Sequence, residues 1–375
     1  MHRSNNVTGD LIQRRPEGLY CPQGDFYIDP WRPVERAVIT HAHADHARWG
    51  HAHYLAHRDA EAMMRVRLGD GISFQGLAYG EPLHMVGVTV SLHPAGHVLG
   101  SAQVRVEHRG EVWVASGDYF VSGVGDHNPT CAPFEPVSCD TFITECTFGL
   151  PIYRWASQVQ LMAEIRAWWA ECASEGRHAL LLGYSLGKAQ HLLAGLATDD
   201  APGPVLVHAA VAKLNEAYRA GGVVLPNAAA VTADTDFKQL PGALVIAPPA
   251  VQGSAWTRKL GPHRDAFASG WMRLRGARRR QGVDRGFVLS DHADWPGLLQ
   301  AITATGAQRV IVTHGNEDAL IRLLREQHGL QAEVLATEFN DEHVDAVTDM
   351  SADTKGVMAI EVTAEQPTLA SSAGA

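Results

Sequence analysis

The run His41-Ala42-His43-Ala44-Asp45-His46 places four metal-ligating side chains within six residues. It directly follows the apolar stretch Val34–Thr40, which reads as a β-strand. On an extended segment His41 and His43 fall on one side. A turn just beyond can bring Asp45 and His46 to a neighbouring point. Imidazole and carboxylate suit zinc, with ligand atoms at ~2.0–2.2 Å. Four such groups exceed what one tetrahedral ion with an open position takes, so two ions sharing a site fit better. A solvated histidine-rich loop is the bland alternative, and it is the reading that suits His51, His53 and His57.

Two ions need ligands from elsewhere, and the sequence offers them where further strands end. His97 lies in Pro94-Ala-Gly-His97-Val-Leu-Gly100, after the strand Met85–His93. Asp118 lies just past the strand Glu111–Ser116, and His314 ends the strand Arg309–Thr313. A lone His or Asp at a strand end is usually a satisfied polar group; together these three complete two coordination sets.

A rival nucleophile is Ser185. Gly183-Tyr-Ser-Leu-Gly187 matches G-x-S-x-G between an apolar strand and a helix. Asp234 or Asp236, then His292 or His314, follow in the order a serine hydrolase would need. That reading leaves the histidine cluster, His97 and Asp118 without a purpose. A P-loop is excluded, because three residues separate the glycines and Ala189 follows Lys188. The turn Ser185–Lys188 at a helix start could instead meet a phosphate through backbone amides and the Lys188 charge; a plain strand-to-helix turn is the alternative.

Charge is uneven. Residues 258–285 hold nine Arg or Lys, including Arg273, Arg275, Arg278, Arg279 and Arg280, against Asp265 and Asp284. The run is therefore +7 in a chain of net charge −10, and the remainder carries −17. With Trp256 and Trp271 interleaved to stack on bases, it reads as a phosphate-binding rim, against the alternative of a solubilising loop. After Gln331 the chain holds nine Asp or Glu against Lys355.

The elements that must position these groups change character along the chain. Short strands dominate the first part, with Ala102–His108 and Thr141–Thr144 (ending at Glu145) joining those already named. An amphipathic helix then spans about Trp155–Ser174, with Val159, Met162, Ile165, Ala167 and Trp169 as its apolar face. Strands at Ala179–Leu182, Pro204–Val207 and Ala243–Ala247 alternate with helices at Lys188–Leu196 and Val211–Ala220, the pattern of a small parallel sheet. A strand at Gly286–Leu289 and helices at Asp294–Thr303 and Asp318–Gln327 close the folded part.

The 375 residues suggest two domains, or one with an insertion. Hydrophobic residues at 46% are ample for a core, and the net negative charge excludes a generally basic nucleic-acid coat protein. Five cysteines without a C-x-x-C pair argue against a disulfide framework and a thiolate zinc cluster, and fit a cytoplasmic setting. Residues 1–18 lack the apolar core of a secretory signal. The longest uncharged stretch, Gln239–Thr257, contains three prolines, so no membrane span is expected.

The ordered motifs His41, His43, Asp45, His46, then His97, then Asp118 resemble those of the metallo-β-lactamase fold, over roughly residues 19–148 and 286–337. Asp29 resembles the aspartate that precedes and orients them. The interposed segment resembles the β-CASP insertion of nucleases related to mRNA 3′-end cleavage factors and Artemis-like DNA nucleases. Glu145 in Ile143-Thr-Glu-Cys-Thr-Phe-Gly149, His292 in Leu289-Ser-Asp-His-Ala-Asp294, and His314 carry that likeness. The wording Thr147–Trp155, Leu186-Gly-Lys-Ala-Gln190 and Gly286–Asp294 is most similar to bacterial ligase-associated DNA exonucleases. One departure stands out: Phe120-Val-Ser-Gly-Val-Gly125 follows Tyr119 where members carry a basic residue.

The resemblance implies an αββα sandwich formed by residues 1–150 and 286–340 and an inserted α/β β-CASP domain over 151–285; the tail over 341–375 has no counterpart in the family, and its acidic, small-residue-rich composition reads as disordered. It implies two divalent ions, Zn²⁺ or alternatively Mn²⁺. His41, His43 and His97 would hold one, Asp45, His46 and His314 the other, and Asp118 would bridge. His292, oriented by Glu145, would be the general acid of phosphodiester hydrolysis yielding 5′-phosphates. The implied partners are DNA, with RNA as the alternative, and an ATP-dependent DNA ligase and a helicase as functional neighbours. Two other classes stay open, a small-molecule (thioester or lactam) metallohydrolase on the same fold and a non-catalytic nucleic-acid scaffold.

Overall fold

A computed structural model describes residues 9–123, 126 and 128–338, and the side chain of His314 is outside the description. The expected disordered tail over 341–375 falls outside the described residues. Among these residues the strands form three sheets, a mixed α/β architecture. No described helix is long and apolar enough to cross a membrane.

The first sheet follows chain order: β1 (Gln13–Arg15), β2 (Gly18–Cys21), β3 (Phe26–Ile28), β4 (Arg36–Val38), β5 (His53–His57) and β6 (Phe74–Leu77). From β3 onward its strands are parallel. Helix α1 (Glu61–Leu68) connects β5 and β6. The second sheet begins as an antiparallel meander of β7 (Leu83–Met85), β8 (Val88–Pro94), β9 (Ala102–His108) and β10 (Glu111–Ala115). It continues in parallel through β11 (Thr141–Cys146).

The chain then builds a third sheet from β12 (His178–Leu182), β13 (Val205–Val207), β14 (Ala229–Ala230), β15 (Leu244–Ala247), β16 (His263–Ala268) and β17 (Arg285–Phe287). Its spatial order is β14-β13-β15-β12-β16-β17, and every pairing is parallel, as the alternating pattern predicts. Its helices are α2 (Gln158–Ser174), α3 (Lys188–Leu196), α4 (Ala209–Ala220) and α5 (Arg275–Gln281). After α6 (Trp295–Thr305) the chain returns to the second sheet with β18 (Arg309–Gly315), α7 (Glu317–His328) and β19 (Gln331–Val334), β18 pairing beside β11.

Period-two alternation sorts the side chains into layers. In the first sheet Val38 and Leu55 face one cluster while Ala37, Ile39, Tyr54 and Ala56 face another. In the second, Trp113, Ile143 and Ile311 join Val38 and Leu55, while Val114, Phe142, Val310 and Val312 turn the other way onto α6 and α7. The outer face of the first sheet packs on Met63, Met64 and Leu68 of α1, and the same cluster runs on through α2, α3 and α4 to Ala179 and Leu181 of β12. The third sheet is therefore joined to the first through a shared apolar core. Burial on both faces explains why β15, and β12 after His178, are unbroken apolar runs.

Two sequence expectations are corrected. The strand Met85–His93 is two strands, because Val86 at φ 50° and Gly87 turn the chain between β7 and β8. The apolar face of α2 is the expected one only in part: Met162, Ile165 and Trp169 are buried, joined by Leu161, Trp168 and Cys172, whereas Val159 is 67% exposed and Ala167 is exposed. The buried set keeps the i, i+3, i+4 spacing of one helical face, while 165, 167 and 169 do not share one. Residues 258–285 include β16, α5 and the first residue of β17, so the alternative of a solubilising loop does not describe them.

Trp168, fully buried and edge-on to Phe287 at 5.7 Å, joins α2 to the third sheet. Trp168→Ala should lower stability by about 3–5 kcal/mol, the usual cost of truncating a buried tryptophan, measured by denaturant unfolding.

Candidate metal centre

Strand direction gathers the site. In the second sheet β8, β10, β11 and β18 all point the same way, so His97, Asp118, Glu145 and the backbone of His314 arrive at one edge. From the first sheet, the parallel pair β3 and β4 delivers Asp29 and the His41–His46 run to that edge. The two sheets are tied there by Ala102 N–H donating to the Thr40 carbonyl at 2.8 Å. Gly117, at φ +57°, lies so close to Thr40 that a Cβ would come within 2.6 Å of it.

The rings of His41, His43 and His97 form a triangle with all three centroid separations 4.8 Å and interplanar angles of 83–87°. Asp118 Oδ2 lies 3.5 Å from His41 Nε2, 3.5 Å from His46 Nε2 and 3.8 Å from His97 Nε2. Asp45 Oδ2 is 3.3 Å from His46 Nε2. A tetrahedron with zinc-to-nitrogen bonds of ~2.0–2.1 Å has edges of about 3.3–3.4 Å. The spacing thus suits ligands around an ion, and His41, His43, His97 and Asp118 form a group able to hold one. Asp118 is placed to reach both the His41 and the His46 sides.

Each ring is held by its outer nitrogen. Thr40 Oγ1 sits 3.0 Å from His41 Nδ1, Asp29 Oδ2 2.7 Å from His46 Nδ1, the Leu186 carbonyl 3.2 Å from His43 Nε2, and the Asp291 carbonyl 2.8 Å from His97 Nδ1. A carbonyl only accepts, so His43 carries its proton on Nε2 and His97 on Nδ1. The inner nitrogens, His43 Nδ1 and His97 Nε2, then face each other as lone pairs 3.1 Å apart. Burial pushes His43 down to about 3 and His97 to about 4, so neither takes a second proton at neutral pH. Burial also lowers His41, and its Nε2 and Asp45 Oδ1 have no hydrogen-bond partner among the described residues. Opposed lone pairs beside carboxylates call for a cation, and neutral imidazoles with carboxylates are a donor set for zinc-like ions.

The His46 side makes the same demand differently. Burial opposes its charged form, but Asp45, Asp118 and Asp29 outweigh burial and raise its pKa well above the usual range. Burial likewise favours neutral Asp118, yet His46 and His292 hold its carboxyl well below the ordinary value. Asp29 adopts φ 42° just after β3 and accepts from Thr40 N–H at 2.7 Å as well as from Thr40 Oγ1, locking the segment that carries the cluster.

Beside the centre, both oxygens of Glu145 lie 3.0 Å from His292 Nδ1. Glu145 is fixed by the Tyr119 N–H at 2.8 Å and the Thr147 hydroxyl at 2.6 Å. Asp118, Glu145 and His292 form a second close group. The His292 ring is 4.7 Å from that of His97.

The residues expected to meet substrate are placed less simply. Lys188 is fully buried and ion-paired to Asp291 at 3.0 Å, so its charge faces the interior rather than solvent. Ser185 is buried, and its Oγ has no hydrogen-bond partner among the described residues; His292 faces Glu145 instead, so no serine triad is assembled. Trp271 packs at 4.9 Å on Phe148 and Trp256 at 5.0 Å on His208, both half-buried rather than free to stack on bases. Arg275, Arg279 and Arg280 are exposed on α5, Arg273 Nε donates to the Ile152 carbonyl at 3.1 Å, and Arg278 donates to the Met272 carbonyl. Arg273 and Arg278, joined by Arg154 and Arg285, line an open groove of ≈ 450 Å³. Trp155, between Arg154 and Ala156 of that groove, donates its indole N–H to the His292 carbonyl at 2.9 Å. Sequence reasoning does not reach Arg154, Leu186, Lys188 and Asp291 in these positions; only Asp291, inside the His292 motif, carries a local signal.

Asp29→Asn keeps a residue that tolerates positive φ but removes the charge that holds His46. Metal affinity should fall about 10–100-fold, as for other partners of metal ligands, read by competition with a chelator of known affinity.

No protein-family model matches the chain. It is 34% identical over 318 residues to a probable DNA ligase from Opitutus terrae, covering 84% of this chain and 30% of that protein. It is 28% identical over 171 residues to cleavage and polyadenylation specificity factor 73 from Drosophila melanogaster, covering 42% of this chain and 23% of that protein. The chain therefore spans less than a third of the length of either relative. Among solved structures it is similar to a protein of unknown function from Enterococcus faecalis V583, with a TM-score of 0.53 and 12% identity over 81% of this chain and 80% of that one; that likeness concerns the fold alone.

Proposed function

We propose that the chain is a binuclear metal-dependent phosphodiesterase of the metallo-β-lactamase/β-CASP type, acting on DNA as an exonuclease in repair. The observation that carries this reading is the convergence of His41, His43, Asp45, His46, His97 and Asp118, with the outer nitrogen of every imidazole occupied. Two face-packed sheets with α1 outside one and α6 and α7 outside the other support an αββα sandwich spanning 1–150 and 286–340. The all-parallel sheet supports an inserted domain over 151–285. DNA is favoured by the relative named as a probable DNA ligase, which also motivates a ligase as a functional neighbour; a helicase rests on the resemblance of the motifs alone. RNA is the second reading, favoured by the relative named as a cleavage and polyadenylation factor.

In this reading His41, His43 and His97 would hold one cation and Asp45, His46 and His314 the other, with Asp118 placed to serve either. Zn²⁺ fits the donors, with Mn²⁺ as the alternative. Two such cations, when bound, supply the Lewis acidity that makes hydroxide accessible at neutral pH and offsets charge in the in-line displacement. The chain's own part is positional and protonic. Glu145, held by Tyr119 and Thr147, fixes the His292 ring through Nδ1 and so aims Nε2. His292 then gives a proton from Nε2 to the departing 3′-oxygen, leaving a 5′-phosphate on the other product. The exposed arginines of α5, with Arg273 and Arg278 in the adjoining groove, bear on the substrate phosphates; buried Lys188 and Ser185 do not.

The direct test is end-labelled single- and double-stranded DNA beside matched RNA, with Zn²⁺ or Mn²⁺ and an Asp118→Ala control. Nucleotides released progressively from one DNA end, and absent with the control, are the expected result. Cleavage of RNA alone would favour the RNA reading, and metal binding without cleavage of either would favour a small-molecule hydrolase. His292→Ala should lower kcat by about 10²–10⁴-fold while metal content stays at the unmodified level. Metal loss equal to that of Asp118→Ala would refute the general-acid role. Arg275→Ala/Arg279→Ala/Arg280→Ala should flatten the salt dependence of single-strand binding, by about 0.7 in log–log slope for each phosphate no longer neutralised.

A further inference from the structure

The two carbonyls that set the proton positions of His43 and His97 do not come from the strands that carry those histidines. The Leu186 carbonyl lies in the turn after β12, and the Asp291 carbonyl in the segment after β17, both beyond the carboxyl edge of the parallel sheet. One side chain bridges them. Lys188 follows Leu186-Gly187 directly, and its Nζ reaches Asp291 Oδ2 at 3.0 Å and the Leu289 carbonyl at 3.3 Å. His191, one turn further along α3, adds a second contact to Asp291 at 3.6 Å. Gly187, at φ +88°, is seated so tightly that a Cβ would fall 2.4 Å from Val98, next to His97. Displacing either acceptor would free its imidazole to place the proton on the inner nitrogen, which blocks ligation.

We propose that Lys188 is a positioning residue for the metal centre. By tying the Leu186 and Asp291 loops together it holds His43 in the Nε2–H form and His97 in the Nδ1–H form, so that seating of the parallel-sheet unit and metal affinity are linked. The inference rests on the metal-centre reading for its consequence, but its structural core concerns tautomers in the metal-free chain. His46 is an internal control, because Asp29, on a different sheet, fixes it. Linkage follows because anything that binds only the correctly ordered state shifts the population toward it.

The test uses the full chain, labelled with ¹⁵N-histidine and freed of metal. Long-range ¹H–¹⁵N spectra, assigned by single His→Gln substitutions, report which ring nitrogen carries each proton. In the unaltered chain His43 should be protonated on Nε2 and His97 on Nδ1. In Lys188→Met both should become tautomer mixtures while His46 stays as it was, and zinc affinity by chelator competition should fall about 10–100-fold. That variant strands the Asp291 charge, and Lys188→Met/Asp291→Asn removes the charge while keeping the Asp291 carbonyl. The double variant should recover folding stability yet keep the tautomer disorder and weak zinc binding; should Lys188→Met not fold, it carries the test alone. Affinity recovering together with stability, or His46 losing order alongside the other two, would reduce Lys188 to a structural role and overturn the proposal. Opposite tautomers in the unaltered chain would overturn it too. An unaltered chain that binds no zinc but shows the expected tautomers would sink the metal-centre reading and leave the positioning role standing.

Discussion

Six imidazole and carboxylate side chains share a space a few ångströms across, five of them almost fully buried. Most of the local structure answers to that constraint. Buried ionisable groups must be paired or coordinate an ion, and the outer nitrogens here are all occupied. The remaining lone pairs therefore point inward. The positive φ of Asp29 and the missing Cβ of Gly117 are backbone features tolerated because they bring Asp29, Thr40 and Asp118 to the distances the cluster needs. Strain concentrated at such a place fits a site whose geometry is set by its chemistry rather than by packing.

The sheets make this concentration tolerable by keeping it at their rim. Alternating apolar residues fill the space between the sheets, and the imidazoles and carboxylates of the cluster come only where the strands run out. Because β8, β10, β11 and β18 agree in direction, four separate stretches of sequence end at one edge without long loops. The parallel sheet brings its own carboxyl edge to the same place, where open α/β sheets commonly bind ligands. The Leu186, Asp291 and His292 contacts all arise there.

This division explains what is legible in the sequence. The His41–His46 run is legible because its imidazoles and carboxylate are contiguous and follow a strand, and His97, Asp118 and Glu145 because strand ends mark them. The parallel sheet is legible because burial on both faces leaves continuous apolar runs. The acceptors that orient His43 and His97 are not, because a main-chain carbonyl has no side-chain signature. Lys188 misleads for a related reason: a lysine at a helix start normally faces water, and only the tertiary position of Asp291 draws it inside. The α2 face is ambiguous because apolar residues lie on both sides of the helix, and composition does not tell which side meets the sheet. Trp271 suggests a stacking platform by its place in a basic run, but Phe148 and Tyr153 pack against it.

Charge gives the proposed reading an internal order of events. Without cations the centre is acidic: Asp29, Asp45, Asp118 and Glu145 meet histidines of which His41, His43 and His97 are held neutral by burial. The chain outside residues 258–285 is acidic as well. For a polyanion approaching a chain of such net charge, the densest run of positive charge lies along α5 and the arginine-lined groove. Two divalent cations would add four positive charges at the strand edge and reverse the local sign. Attraction then extends from the arginines past Trp155 to His292, which share one side of the site. Coulomb attraction in a partly desolvated cleft is far stronger than at an open surface, so cation loading would govern productive substrate binding as well as the chemical step.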